Sequence, residues 1–94
     1  MEYSAKQLRL KIMDCIEGVI ESIELGDYAY EAWHYLKEND EKDHQLMEFL
    51  SELSAEWGFQ TATTIDPKFN KGFLRNVLAR LEKYMNIEPE EPKF

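Results

Sequence analysis

Apolar residues near the start of the chain recur with the period of an α-helix. At about 100° per residue, six of them fall on one side of a helix over residues 8–25, with acidic residues opposite. Ser4 is a suitable N-cap, and Gly26 is a suitable residue to end the helix in the left-handed conformation. Met13 and Ile20 widen the apolar side, so this is the expected central helix. The six apolar positions are Leu8, Ile12, Cys15, Ile16, Val19 and Ile23.

Two further helices are predicted in the middle of the chain. Asp27 can cap a second helix that ends near Glu38. After a break at residues 39–40, where Asp40 is the expected cap, a third helix is predicted over about residues 41–57. Gly58 is expected to end it, with Phe59 folding back as the apolar residue after the glycine. The third helix directs Leu46, Phe49, Leu50, Leu53 and Trp57 to the core.

A fourth helix is predicted near the C-terminal end of the chain. Residues 60–65 are too short and isolated for a sheet and are predicted to form an ordered loop, with a single extended segment as the alternative. Asp66 and Pro67 then supply an N-cap and an N1 residue. Because Gly72 weakens the first turn, regular helix is expected only from near Lys71, and Asn86 can end it.

Together these segments predict an all-α fold, a compact four-helix domain with short loops. Residues 1–87 are assigned to this single helical domain, and residues 88–94, with two prolines and three glutamates, to an extended acidic C-terminal tail. Trp57 is expected to be mostly buried between the third and fourth helices.

The longest apolar run is far short of the ~20 residues that span a bilayer, and no signal peptide is evident, so no membrane association is expected. The single cysteine, Cys15, favours a cytoplasmic location.

The charged residues are unevenly distributed along the chain, and this bears on what the protein could bind. The net charge is −8, and thirteen of the nineteen acidic residues lie in residues 14–57, against two lysines. Phosphates would meet like charge there, so direct binding to nucleic acid through this part is unfavourable. The natural complement is a basic protein partner, for example a nuclease or another nucleic-acid-binding protein.

The candidate binding surface combines an acidic stripe with neighbouring tyrosines. Spaced carboxylates can stand in for phosphates, and exposed tyrosines beside acids are typical of binding hot spots. This pattern favours a small acidic helical binding protein. Its expected role is that of an immunity protein, an antitoxin or a phage-encoded inhibitor such as an anti-CRISPR protein. A homo-oligomer is compatible with it. The candidate partner-binding residues are Asp14, Glu17, Glu21, Glu24, Asp27, Tyr28, Tyr30 and Glu31.

An alternative interpretation is a metal site built from two Glu-x-x-His motifs. The motifs are Glu31 with His34 and Glu41 with His44. Di-iron bundles use this spacing because residues three apart project toward one metal. The segment Asp40-Glu41-Lys42-Asp43-His44 resembles the metal-binding helix of ferritin-like proteins, which implies a ferritin-like, metal-binding helical oligomer. However, Glu41 falls on the polar face of its helix, so solvated or partner-facing histidines are the favoured interpretation.

Enzymatic chemistry has little support in the sequence. Cys15 is predicted to be buried, no Ser-His-Asp arrangement stands out, and the four glycines are too scattered for a phosphate-binding loop. A water-exposed acidic stripe also lacks the environment that tunes pKa values for acid–base catalysis. We therefore expect a non-enzymatic protein without a cofactor.

Overall fold

The computed structural model describes residues 3–39 and 43–86, and within them it confirms the all-α, four-helix fold with short loops. Helix α1 spans Ala5–Ile16, α2 spans Ser22–Glu38, α3 spans His44–Thr63 and α4 spans Lys71–Tyr84. The predicted tail at residues 88–94 lies outside the described residues. None of these four helices is both long and apolar enough to cross a lipid bilayer.

The predicted long first helix is wrong, because the chain reverses at Gly18. This glycine has φ +80°, the left-handed region that a side chain disfavours. The N–H of Val19 donates to the Asp14 carbonyl at 2.8 Å, and the N–H of Gly18 donates to the Cys15 carbonyl at 3.2 Å. These two bonds form a Schellman motif, which ends α1 at Ile16. Two apolar residues assigned to the core face, Val19 and Ile23, are consequently exposed.

Gly26, the expected helix terminator, instead lies buried inside α2. Helix α2 begins at Ser22, so Asp27 is an interior helical residue and not its N-cap. The Gly26 position faces the indole of Trp57, which approaches closely because no Cβ intervenes. Trp57 is half-buried, and its ring centroid lies 5.4 Å from that of Phe69. It therefore contacts α2 as well as the connection leading to α4, and it packs against the core.

Helix α3 extends further than predicted at its C-terminal end. It continues through Gly58 to Thr63, so residues 60–63 are helical and not a loop. The hydroxyl of Thr63 donates to the Phe59 carbonyl at 2.7 Å, and that of Thr64 donates to the Gln60 carbonyl at 3.0 Å. These hydrogen bonds involve backbone carbonyls in the last turns of α3, beyond Gly58, where the helix was expected to end. Phe59 is 60% exposed and does not fold back.

The remaining helix ends are set by local hydrogen bonds. The carboxylate of Asp43, at the N-cap of α3, accepts from the Leu46 N–H at 3.0 Å, whereas the predicted start at residues 40–41 lies outside the described residues. Helix α4 begins at Lys71, as predicted, but its N-cap is Asn70 and not Asp66. Asn86, with φ 59°, lies at its C-terminal end, as predicted.

The core lies among the four helices. Helix α2 packs against α3, and α1 packs against both α2 and α4. The backbone N–H of Phe69 donates to the Ser22 hydroxyl at 2.9 Å, which ties the α3–α4 connection to the start of α2. No polar or charged residue is classed as buried within the described ranges. The buried hydrophobic residues are Leu8, Ile12, Cys15, Leu25, Ala29, Ala32, Leu36, Leu46, Phe49, Leu50, Leu53, Phe69, Leu74, Val77 and Leu81.

The contact between Gly26 and Trp57 predicts opposite effects for two glycine-to-alanine substitutions. A Cβ added at Gly26 would lie 2.5 Å from two atoms of the rigid Trp57 indole. Gly26→Ala should therefore lower the free energy of unfolding by about 1–3 kcal/mol. Gly58 is exposed within α3 and has no atom within 4 Å of its added Cβ. Gly58→Ala should raise the free energy of unfolding by about 0.5–1 kcal/mol through helix propensity. Urea denaturation of both variants measures the difference, and equal effects would contradict the Trp57 packing.

Candidate partner-binding groove

A groove of about 490 Å³ runs between α1 and α2. The two helices form an antiparallel hairpin, since Tyr3 contacts Tyr28 and Tyr35 while Lys11 contacts Glu24. Spacings of three and four bring one face of each helix to the groove. Helix α1 contributes Gln7, Leu10, Lys11 and Asp14, helix α2 contributes Glu24, Asp27, Tyr28 and Glu31, and Tyr3 completes the lining.

The groove collects five of the eight predicted partner-binding residues. Asp14, Glu24, Asp27, Tyr28 and Glu31 line it together. Asp14 and Glu24 were expected on one continuous helix. In the structure the chain reverses direction between them, and this reversal brings both residues to the same groove.

Three predicted residues lie elsewhere. Glu17 and Glu21 are exposed in the turn between α1 and α2, and Glu21 borders a second cleft near Trp57. Tyr30 is 57% exposed and lines a shallow groove between α2 and α3. The acidic stripe is therefore divided between the groove and the turn, and the tyrosines are divided between two sides of α2.

The sequence interpretation missed four lining residues: Tyr3, Gln7, Leu10 and Lys11. Leu10 lies off the core face of α1, and it is 49% exposed. The signal that would have found these residues is Gly18. A helix ended there folds back as a hairpin, and the outer face of α1 then meets the acidic face of α2.

The electrostatics of the groove are dominated by carboxylates. Four carboxylates face a single ammonium group, that of Lys11. The Lys11 Nζ lies 3.2 Å from Glu24 Oε2 and 5.6 Å from the centroid of the Tyr28 ring. In the described chain, Asp14, Asp27 and Glu31 make no ion pair, so the groove keeps an excess of negative charge.

Tyr28 forms a half-buried aromatic part of the lining. Its ring centroid is 5.5 Å from that of Tyr3 in an edge-to-face arrangement. Its hydroxyl is buried and has no hydrogen-bond partner within the described ranges. Burial raises the pKa of Tyr28 to about 12, and the neighbouring Tyr3 adds to this effect. The Ser4 backbone N–H opposes the pKa shift but does not reach hydrogen-bond geometry.

Chemically, this groove suits binding of a cationic side chain. Glu24, Asp27 and Glu31 are exposed to water, so their negative charges can attract a cationic group to the groove. Leu10, Tyr3 and Tyr28 add apolar and aromatic surface between them. A positively charged group with an aliphatic stem can use both kinds of surface at once.

The three residues of the metal alternative that the structure describes, Glu31, His34 and His44, are not grouped at one site. Glu31 lines the α1–α2 groove, whereas His34 lines the α2–α3 groove, where its ring lies 4.3 Å from Tyr30. His44 is exposed at the start of α3, and Glu41 lies outside the described residues. Within residues 3–39 and 43–86, no three His, Cys, Asp or Glu residues are grouped so that they could hold a metal ion.

Comparisons with protein-family models, with curated proteins and with solved structures give no match for this chain.

The Tyr28 hydroxyl predicts a specific alkaline instability. A folded-state pKa of about 12, above the ordinary value of 10, means that the folded protein favours the neutral phenol. This stabilisation is complete below pH ~10 and is lost as the pH rises toward ~12, by up to about 2 kcal/mol. Tyr28→Phe should reduce this loss and should be neutral or stabilising at pH 7, because it removes an unpaired buried hydroxyl.

Urea midpoints measured at pH 7, 9, 10 and 11 test this prediction. Tyr30→Phe, at an exposed ring on the other side of α2, is the matched control and should follow the wild type. A Tyr28→Phe variant that loses stability with pH as steeply as Tyr30→Phe would contradict it.

Proposed function

We propose that the protein is a small acidic binding protein whose α1–α2 groove docks on a basic protein surface. The observation that carries this proposal is the convergence of four carboxylates around Tyr3, Leu10 and Tyr28. Charge complementarity supplies the attraction, and the aromatic and aliphatic surface supplies contact area.

The kind of partner follows from the charge of the groove. Clefts that bind nucleic acid are lined with lysine and arginine, because they must neutralise phosphates. Spaced carboxylates on a rigid helical hairpin complement the same cleft and steer association over distances of about a Debye length. We therefore propose a nuclease or another nucleic-acid-binding protein as the partner. The protein would act on it as an immunity protein, an antitoxin or a phage-encoded inhibitor such as an anti-CRISPR protein does.

The energetic role of the groove carboxylates supports binding more than folding. Asp27 and Glu31 are exposed and unpaired within the described chain, so they contribute little to stability. Their mutual repulsion is relieved when a cationic surface approaches. We propose that this interaction takes place in the cytoplasm, where a lone thiol such as Cys15 stays reduced.

Charge reversal inside and outside the groove tests the proposal. The groove variant is Asp27→Lys with Glu31→Lys, and the matched control is Glu38→Lys with Glu48→Lys, at exposed acids outside the groove. Both change the net charge by the same amount, and neither should change the free energy of unfolding by more than about 0.5 kcal/mol per substitution. The groove variant should associate with the partner at least about tenfold more slowly, whereas the control should lose only a small part of the rate.

The partner is obtained by capture from a lysate of the source organism on three baits: wild type, groove variant and control. The informative protein is one retained by wild type and control but lost by the groove variant. Its association kinetics are then measured at low and physiological salt, where the wild-type rate should fall. Salt-independent association, or equal losses in the groove variant and the control, would contradict docking through the groove. A third variant, Glu17→Lys with Glu21→Lys, shows whether the contact extends to the turn.

A further inference from the structure

We propose that Lys11 is a built-in occupant of the groove and that the partner inserts an arginine, which displaces Lys11 from Tyr28 and Glu24. This inference rests on the proposed function of the groove. It names the group that is recognised, a guanidinium on a basic protein, and it gives Lys11 the role of a competitor.

The contacts of Lys11 reveal a cation site that belongs to α2. Glu24 and Tyr28 are four residues apart, so they lie on the same face of that helix. Their carboxylate and aromatic ring receive the Lys11 ammonium at 3.2 Å and 5.6 Å, the second distance measured to the ring centroid. A carboxylate beside an aromatic face is a general binding site for lysine and arginine. Lys11 comes from α1, so the site itself does not depend on the lysine that fills it.

An arginine fits this groove better than the lysine does. Asp14, Asp27 and Glu31 line the same groove and make no ion pair in the described chain. A guanidinium has five donors, binds carboxylates through two parallel hydrogen bonds, and stacks on aromatic rings. It can therefore contact Tyr28 and more than one carboxylate together. The Lys11 ammonium is a compact charge and is paired with Glu24 alone.

The Lys11 contact is also easy to displace. The Lys11 and Glu24 side chains are 35% and 52% exposed, and an ion pair so open to water is held weakly. The opposite side of α1 provides a contrast. There Arg9 donates to Glu82 at 2.8 Å, the two side chains are 27% and 22% exposed, and the contact joins α1 to α4. The structural ion pair is therefore shielded, whereas the ion pair in the groove is open to exchange.

Competition by Lys11 has a consequence for selectivity. Any segment that enters the groove must break the contacts of Lys11 with Glu24 and Tyr28, which lowers its net affinity. A segment with a well-placed arginine forms new contacts that offset this loss, whereas a weakly basic segment does not. The groove therefore discriminates among positively charged surfaces and does not bind them all alike.

Removal of Lys11 tests the proposal with a peptide probe. The probe is a fluorescein-labelled helical peptide with arginines and leucines on one face, alongside versions in which lysine or glutamine replaces arginine. Lys11→Met is compared with Lys37→Met, because the Lys37 ammonium also lies over an aromatic ring, 4.8 Å from the Trp33 centroid, but outside the groove. The two variants lose the same charge and a similar cation–ring contact.

The expected result is a specific gain in affinity. Lys11→Met should bind the arginine peptide about three- to fivefold more tightly than wild type, equivalent to about 0.7–1 kcal/mol and in line with a weakly held ion pair. Lys37→Met should stay within about twofold, since it changes only the overall field. The arginine peptide should bind more tightly than the lysine peptide, and the glutamine peptide should not bind.

Displacement itself is observable in the unmodified protein by NMR. In the free state Lys11 Nζ lies 5.6 Å from the centroid of the Tyr28 ring, so the adjacent ε-methylene protons should be shifted by its ring current. Saturation with the arginine peptide should return their resonance to that of a freely solvated lysine, while the Lys37 resonance stays unchanged. This measurement does not depend on the stability of any variant.

The outcomes separate this inference from the proposed function. If the peptide binds but Lys11→Met and Lys37→Met behave alike, or the Lys11 resonance does not move at saturation, displacement is overturned and groove binding stands. If the peptide binds equally well to the Asp27→Lys, Glu31→Lys variant, it docks elsewhere and both ideas fail. Absence of binding to wild type and to every variant also overturns both.

Discussion

The reversal at Gly18 is the constraint on which the rest of the structure depends. A residue with φ +80° and two backbone hydrogen bonds end α1 at Ile16, five residues before Glu21, the N-cap of α2. Without this turn, residues 8–25 would form one continuous helix, and α1 could not lie beside α2. The turn lets α1 bury one face against α4 and the core while its outer face meets α2 across the groove. The fold and the candidate site thus share one local cause.

The sequence predicted the fold class well because helical periodicity is strong in each segment, and the position of Asn86 at the end of α4 followed from local chemistry alone. The error at Gly18 arose because the apolar period continues, by position, through Val19 and Ile23. Periodicity records which residues could share a face, and it carries no information about whether the backbone remains helical between them. Gly18 and Gly26 are equivalent signals in the sequence. In the structure Gly18 adopts φ +80° and ends α1, whereas Gly26 lies inside α2 against Trp57.

The candidate site was predictable in its charge and not in its shape. Glu24, Asp27 and Glu31 were predicted from their charge, but Glu24 was assigned to the first helix and Asp27 to the cap of the second. The structure places all three in α2, where their spacing brings them to one face. The contributions of Leu10 and Lys11 depend on how α1 crosses α2, and a pattern within either helix does not contain that information. The same limit applies to the end of α3, which continues past Gly58, a residue type that commonly ends helices, to Thr63.

The packing of α1 against α4 also bears on the order in which the chain folds during synthesis. The α1–α2 and α2–α3 hairpins join neighbouring segments, so they form from local contacts as the chain emerges. The pair formed by Arg9 and Glu82 instead joins residues 73 positions apart. Until α4 leaves the ribosome, the apolar face of α1 that contains Leu8 and Ile12 has no second helix to cover it, and the nascent protein is most prone to aggregate in that interval.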